Sequence, residues 1–579
     1  MLCETTRFLL LVCVLPLAYV AALPCDAGYT WDGTVCTGTA DAMATGLARG
    51  SQAFHAGALW TAAGSSATLT LWGPNTMGQL GRDDSSTGVG DAANEMGNNL
   101  ISVLPPPGRT VVQASIGNGY TCILMDNGYV GCFGQGGCQL GRGDTQQVGD
   151  SPAHSARGAA LVLAALPTGT TAVKVVCGQL HTCVMLSDNT VRCWGYGYDY
   201  VLGIGSTSQM GCWSGSMGNG LVAVRLPTST YPVDMAIGDS HTCVLASTGD
   251  VYCWGKNNYG QCGLGSASTI GQGNTQDTLQ RVLLPVIFTQ VVNVSCGGGF
   301  TCVLTNTGQV GCWGYNANGR LGKGDTVSVG TTVGEMASLQ PIAFPSGLTA
   351  IALACGMDHI CVILSNHQVY CWGHGYYGRL GTGSTNHIGD GPNEMGDNLQ
   401  PAPLPTGRTA TQLTCGGART CVIMDDGKVA CWGQNTAGQL GIGSTSNRGS
   451  AGGQMGNSLI TASLPTASVS ACSAGAHYTG SECALCAGGA YTTTTTNVAG
   501  GAYDCTKCGA GTFSTASGAA LGSTCTNCPA NTYSDVTGAA DCITCPVGTT
   551  GTATGADSSS LCIPDPTCVY RNGGRRRRR

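Results

Sequence analysis

Six tryptophans and one phenylalanine, each followed by glycine, recur along this chain at near-constant spacing. They are Trp72, Phe133, Trp194, Trp254, Trp313, Trp372 and Trp432, with steps of 61, 61, 60, 59, 59 and 60 residues. A period of that length kept seven times calls for a unit that buries its apolar surface against copies of itself. Within each unit the order is an apolar strand, a glycine, a strand such as His181-Thr182-Cys183-Val184, a turn, and a strand such as Val251-Tyr252-Cys253-Trp254-Gly255. A Gly438-Gln439-Leu440-Gly441-like loop, a variable glycine-rich loop and a short strand ending in Leu-Pro or Phe-Pro complete it.

Residues 301–313 read as a hairpin. Alternation places Cys302, Leu304, Val310 and Cys312 on one face, and Thr301, Val303 and Trp313 on the other. Opposed Cα atoms in an antiparallel pair lie roughly 4.5–5.5 Å apart, within reach of a disulfide. The same spacing separates Cys122 from Cys132, Cys183 from Cys193, Cys243 from Cys253, Cys361 from Cys371 and Cys421 from Cys431. With Cys302 and Cys312 these make six expected cross-strand disulfides. Each closes a loop worth about 2–3 kcal/mol on the chain-entropy account. The first unit has no cysteines and a longer turn, so it is expected to be the least stable.

Thirty-four cysteines point to an oxidising compartment, because cytosolic thiols are held reduced. The N-terminus agrees. Arg7, an apolar run from Phe8 to Ala22 and the small residues Val20-Ala21-Ala22 read as a signal peptide over 1–22. The run is shorter than the about 20 residues that span a bilayer, and no later segment reads as an integral membrane segment. A secreted or cell-surface location is expected. Cys25 and Cys36 are expected to close a short disulfide loop within 23–40. Net charge is −6, and without the terminal run Arg575–Arg579 it is −11, which excludes a nucleic-acid-binding body. The basic tail, 571–579, reads as solvated chain, with a processing site or a polyanion contact as alternatives.

Seven four-stranded units around an axis describe an all-β propeller. The runs 181–195, 241–265 and 421–443 ("HTCVMLSDNTVRCWG", "HTCVLASTGDVYCWGKNNYGQCGLG", "CVIMDDGKVACWGQNTAGQLGIG") resemble the RCC1-repeat family of seven-bladed β-propellers, over residues 41–466. In that family the nuclear founder exchanges nucleotide on a small GTPase and binds chromatin, roles that the acidic, cysteine-rich body argues against. Its plant ultraviolet photoreceptors use tryptophan clusters in the strands that here read "CGQLHTC", "IGDSHTC", "CGGGFTC", "CGMDHIC" and "CGGARTC", which hold no tryptophan. His181, His241 and His359 recur at equivalent places, but Tyr120, Phe300 and Arg419 fill that place elsewhere, so polar contacts rather than a metal ring are expected.

From 467 to 570 the chain turns to Thr, Ala, Gly and Ser with paired cysteines at 483 and 486, 505 and 508, 525 and 528, and 542 and 545. The run 525–550 looks like ephrin-receptor-like cysteine-rich modules, which implies a disulfide-stapled stalk rather than a zinc ribbon. Setting aside Cys3 and Cys13, the hairpin pairs and the pair Cys25 and Cys36 leave seven cysteines in the propeller (Cys138, Cys177, Cys212, Cys262, Cys296, Cys355, Cys415) and eleven in the tail. Both numbers are odd. One propeller–tail bridge, with Cys472 the nearest candidate, or free and intermolecular thiols follow, so a disulfide-linked oligomer is open.

No nucleophile elbow, phosphate loop or HExxH helix occurs, and the chain is expected to be no enzyme. Arg142-Gly143-Asp144 spells an adhesion tripeptide but is repeat consensus, as Lys323-Gly324-Asp325 shows. Asp390, Asn393, Glu394, Asp397 and Asn398 in a variable loop carry oxygens of the kind calcium takes, but turn and capping chemistry is the expected use of this loop, with Asp390, Asn393 and Glu394 its candidates for contact. With Tyr376 and Tyr377 they are the expected partner-binding residues. Asn293-Val294-Ser295 is an N-glycosylation sequon in an apolar strand. The leading expectation is a secreted or cell-surface binding or adhesion protein that presents propeller loops on a stalk to an extracellular protein or glycan. A matrix, wall or coat component comes next, and a secreted enzyme or enzyme inhibitor third.

Overall fold

The computed structural model describes residues 43–465, apart from 52, 62–66, 87 and 273–278. Outside that span only short backbone pairings are described. Thr30–Trp31 pairs with Cys36–Thr37 within a separate compact unit, Met1–Asp41. Five two-stranded ladders recur between Ala476 and Pro564, among them Thr512–Phe513 with Thr526–Asn527 and Thr532–Tyr533 with Ile543–Thr544.

The repeat folds as seven antiparallel blades. First strands are Met43–Leu47, Val111–Ile116, Ala172–Cys177, Pro232–Ile237, Val291–Cys296, Ala350–Cys355 and Ala410–Cys415. Second strands are Ala56–Thr61, Tyr120–Met125, His181–Leu186, His241–Ala246, Phe300–Thr305, His359–Leu364 and Arg419–Met424, and each third strand carries the repeated aromatic-Gly pair at its end, as in Val191–Gly195. A short fourth strand completes the sheet in blades three, six and seven, as Thr461–Ala462 does, and Gly88–Val89 pairs with the third strand of blade one. The ring closes where Ala44 N donates to Gly427 O at 3.0 Å, Gly417 N to Ala53 O at 2.9 Å and Gln412 Nε2 to Thr45 O at 2.9 Å. Every blade is one contiguous stretch, so no strand is exchanged across this seam.

Second strands are buried along their whole length because both of their faces meet neighbouring blades. Alternation therefore disappears from their burial although it remains in their pairing. The six repeated tryptophans are fully buried. Five of them also donate Nε1–H to the preceding blade: Trp194 to Gln139 O at 2.9 Å, Trp254 to Val201 O at 2.8 Å, Trp313 to Gln261 O at 3.0 Å, Trp372 to Arg320 O at 3.2 Å and Trp432 to Arg379 O at 3.1 Å. A large apolar body with one donor suits that place.

All six hairpin cysteine pairs are disulfides. Cys122 is joined to Cys132, Cys183 to Cys193, Cys243 to Cys253, Cys302 to Cys312, Cys361 to Cys371 and Cys421 to Cys431. The partners stand directly opposite in register, Cys132 across from Cys122, Cys193 from Cys183 and Cys431 from Cys421. Their Cα atoms are 4.1 Å apart in every pair, closer than the 4.5–5.5 Å expected of opposed strand residues. A further disulfide, Cys138–Cys212, links a loop of the second blade to one of the third. Cys177, Cys262, Cys296, Cys355 and Cys415 are free and buried. A bridge to Cys472, which lies outside the described residues, would therefore have to start from a buried thiol. The side chains of Cys25 and Cys36 also lie outside them.

First and third strands run the same way. The propeller thus has a terminal face, where Met43 starts and Ala462 ends, and a hairpin face, where each first strand turns into the second. On the terminal side a bulge follows the first residue of the first strand in blades two to six. It leaves Val112, Val173, Val233, Val292 and Ile351 about half exposed. Between the first strands lies an axial cavity of 390 Å³.

Candidate functional site: a tyrosine-lined hairpin face

The site begins with the glycine after each repeated aromatic. Gly195 has φ +119°, and a Cβ there would lie 2.5 Å from Leu180 O, so only glycine fits. The next residue is then pinned over the turn between first and second strands. Tyr196 N donates to Leu180 O at 3.0 Å, Lys256 N to Ser240 O at 2.7 Å, Tyr315 N to Gly299 O at 2.9 Å and His374 N to Asp358 O at 2.9 Å. The loops that follow display aromatic side chains on the hairpin face.

In blades three to six these form an arc. Tyr196 stacks with Tyr198 at 5.8 Å, and Tyr259 with Tyr315 at 4.2 Å. His374 sits 4.5 Å from Tyr376 and 4.9 Å from His387. Tyr198, Tyr376, Tyr377 and Tyr259 are 60%, 55%, 41% and 37% exposed. Tyr377 holds φ +63°, a backbone region that bulky residues avoid, at the loop position where Asn318 and Asp199 take φ +61° and +54°.

Beneath the arc lie two buried arginines from equivalent loops. Arg320 pairs with Asp358 at 2.9 Å and stacks on Tyr315 at 4.6 Å. Arg379 lies 3.8 Å from the same carboxylate and 5.8 Å from the Tyr377 ring. Burial pulls both guanidinium groups down, against the attraction of Asp358. Burial, then Arg379, lowers His374 to about 4, so it is neutral at pH 7. The result is an aromatic surface with a fixed, mostly compensated charged floor.

The expected partner residues divide. Tyr376 and Tyr377 belong to the arc. Glu394 is a loop clamp: its Oε2 accepts from Gly389 N at 2.8 Å and Gly391 N at 2.8 Å, as Glu95 and Glu335 do in their blades. Asn393 takes φ +65° in the same turn, and a Cβ on Gly319 would strike Asp390 N at 2.1 Å, so this loop interlocks with the blade before it. That is turn and capping chemistry. Among the described residues, the clusters close enough to hold a metal contain histidine and cysteine, with no carboxylate. Asn293 lines the axial cavity and donates Nδ2 to Asp234 at 3.0 Å, a bond that a glycan on that nitrogen would displace.

The recurrent histidines lie between blades. Nε2 of His55, His181, His241 and His359 meets the threonine hydroxyl of the next blade, at Thr121 (2.6 Å), Thr242 (3.0 Å), Thr301 (2.9 Å) and Thr420 (3.0 Å). Each of these threonines donates its proton to a carbonyl of the preceding blade, so the imidazole is the donor in the pair. Sequence reading overlooked His55, whose blade lacks the cysteines that mark the others. It also overlooked Tyr196, Tyr198, Tyr259, Tyr315, Arg320, Asp358, Arg379, His374 and His387. Comparing the residue after each aromatic-Gly pair (Pro74, Gln135, Tyr196, Lys256, Tyr315, His374, Gln434) would have located the aromatic sector.

The family described as the RCC1-like domain matches residues 132–517, more than half of the chain. The chain belongs to the RCC1-like domain family. A second match, to the tyrosine-protein kinase ephrin type A/B receptor-like family, covers 518–562 and marks a cysteine-rich module after the RCC1-like part. The human E3 ubiquitin-protein ligase HERC2 is 29% identical over 392 residues, 67% of this chain and 7% of that protein. The ultraviolet-B receptor UVR8 of Arabidopsis thaliana is 29% identical over 351 residues, 59% of this chain and 69% of the receptor. The chain thus spans a small fraction of the ligase's length. The crystal structure of human WBSCR16 superposes with a TM-score of 0.52 at 18% identity, covering 69% of this chain and 94% of that one, which shows the RCC1-like fold alone. No helix among the described residues is long and apolar enough to cross a membrane.

Proposed function

We propose that the chain is a non-catalytic, extracellular protein-binding protein whose RCC1-like propeller docks its partner on the hairpin face, with the cysteine-rich segment as its stalk. The observation that carries this reading is the arc of exposed tyrosines over buried arginines. Tyrosine and arginine dominate binding hot spots because they bring large rigid area and directional hydrogen bonds at small entropic cost. The chain enters and leaves the propeller on the other face, which leaves the arc unobstructed by the flanking segments' attachment points. The cysteine count and the disulfides support an oxidising setting. A disulfide-linked matrix would use accessible thiols, and the free cysteines of the propeller are buried.

The test is capture from an extracellular fraction by purified protein, beside a variant carrying both Tyr376→Ser and Tyr377→Ser. Both side chains are exposed, so the variant is expected to keep the native melting temperature and lose the partner at least tenfold. Equal capture by both proteins, or a ligand that proves to be a glycan, overturns the protein-docking assignment.

A further inference from the structure

Two blade junctions bring together three groups that the binding role does not use. Between blades four and five, a ring nitrogen of His241, the Sγ of Cys243 and the Sγ of Cys296 lie within 4.8 Å of one another, all buried. Between blades six and seven, His359, Cys361 and Cys415 repeat the arrangement. Cys243 and Cys361 are already joined to Cys253 and Cys371, whereas Cys296 and Cys415 are free thiols. Each junction therefore sets a thiol, a disulfide and an imidazole side by side.

The hydroxyl of Thr420 touches all three groups of its junction, at 3.0 Å from His359 Nε2, 3.5 Å from Cys361 Sγ and 4.0 Å from Cys415 Sγ. Thr301 does the same for His241 Nε2 at 2.9 Å and Cys243 Sγ at 3.8 Å. The Nδ1 atoms of His241 and His359 are buried without a hydrogen-bond partner, which leaves an unpaired acceptor at each site. The other junctions are incomplete. Ile237 takes the place of the free thiol beside Cys183, and Phe300 and Tyr120 take the place of the imidazole in the junctions that hold Cys355 and Cys177.

We propose that these two junctions are thiol–disulfide exchange sites that move a cross-link from within a blade to between blades. Cys415 Sγ attacks Cys361 Sγ. The Cys361–Cys371 bond breaks with its electron pair going to Cys371, and the proton given up by Cys415 ends on Cys371. One disulfide and one thiol enter, one disulfide and one thiol leave, and no oxidant or reductant is consumed. At the other junction Cys296 attacks Cys243 and Cys253 becomes the free thiol. The new bonds join positions 361 and 415, and 243 and 296, so they tie neighbouring blades. Burial keeps the attacking thiols protonated and the step slow at neutral pH.

The full chain, kept folded and free of reductant at pH 8.5, is quenched after graded times by denaturation in excess N-ethylmaleimide, digested without reduction and mapped by mass spectrometry. The expected result is time-dependent growth of Cys361–Cys415 and Cys243–Cys296 peptides, matched by labelling of Cys371 and Cys253, at constant total disulfide. Growth is expected to be at least tenfold slower at pH 6.5, where the thiolate is rarer. Cys415→Ala removes the first product and leaves the second. Because that variant is buried and can fail to fold, the time course of the unaltered protein decides. Absence of both peptides at every time overturns the proposal, as does equal growth of a Cys302–Cys355 product at the junction without an imidazole.

Discussion

At the scale of single residues, the junction pairs show how a polar contact is kept or removed as a whole. Where Phe300 replaces the recurrent histidine, Ile360 replaces the threonine it would face, so no buried polar atom is orphaned. Removing one partner of a buried hydrogen bond costs about 1–3 kcal/mol, whereas an apolar replacement of both can be nearly neutral. Thr242→Val is therefore expected to destabilise by about 1–3 kcal/mol. Adding His181→Phe is expected to cost less than the sum of the two single changes, as read by a chemical-denaturation double-mutant cycle. The same histidines set an acid limit. Burial lowers His55 and His181 to about 3 and His241 to about 4, below the usual 6.5 that holds when unfolded. The unfolded chain then takes up protons first. Their contribution is complete above pH 6.5 and is lost as pH falls towards 4 and 3, by up to about 1.4 kcal/mol per pH unit for each histidine. Melting temperature is expected to be flat from pH 7 to 8 and to drop steadily below 6.5. Little of this was legible in the sequence, because each histidine's partner is some 60 residues away and depends on how blades stagger. Turn and capping chemistry was open for the Glu394 loop in the sequence, but its partners were not legible, because a sequence shows a carboxylate and not the backbone amides that converge on it.

At the scale of elements, the hairpin is the unit that sequence reveals best. Cys302 and Cys312 face each other because register within one hairpin is fixed locally by a short turn, so a ten-residue spacing suffices. Cys138–Cys212 spans 74 residues and two blades, and no local rule announces it. Replacing Cys302 and Cys312 together by alanine is expected to cost about 2–3 kcal/mol, measured as a shift in denaturation midpoint at constant slope. The first blade has no cysteine to staple its hairpin, though it buries Trp60 and Trp72. Hydrogen exchange under native conditions is expected to reach its strands, Ala56–Thr61 and Thr68–Pro74, before the second and third strands of blades two to seven. Earlier exchange in a stapled blade would remove that ranking.

At the scale of the whole molecule, the seam between the last and first blades carries its own solution. The second strand of blade one has Ala56 at the place of the recurrent threonine, and blade seven answers with Arg419 instead of histidine. Arg419 is buried, and its guanidinium donates to Ala53 O at 2.6 Å and to His55 O. Arg419→Met takes this donor from His55 O, while Ala53 O keeps Gly417 N, and is expected to cost about 1–3 kcal/mol, with exchange rising first in Met43–Leu47 and Ala410–Cys415. Seven units and their order were readable from Trp72 to Trp432 alone, whereas the means of closing the ring was not, since it rests on a junction where both repeat residues depart from consensus and a buried arginine reaches backbone carbonyls instead. Because every blade is a single uninterrupted segment, the ring has a beginning only in its gene. A circular permutant that joins the old ends and opens between any other two blades should fold to the same disc. The number of blades is thus free to change by duplication or loss without rethreading the chain.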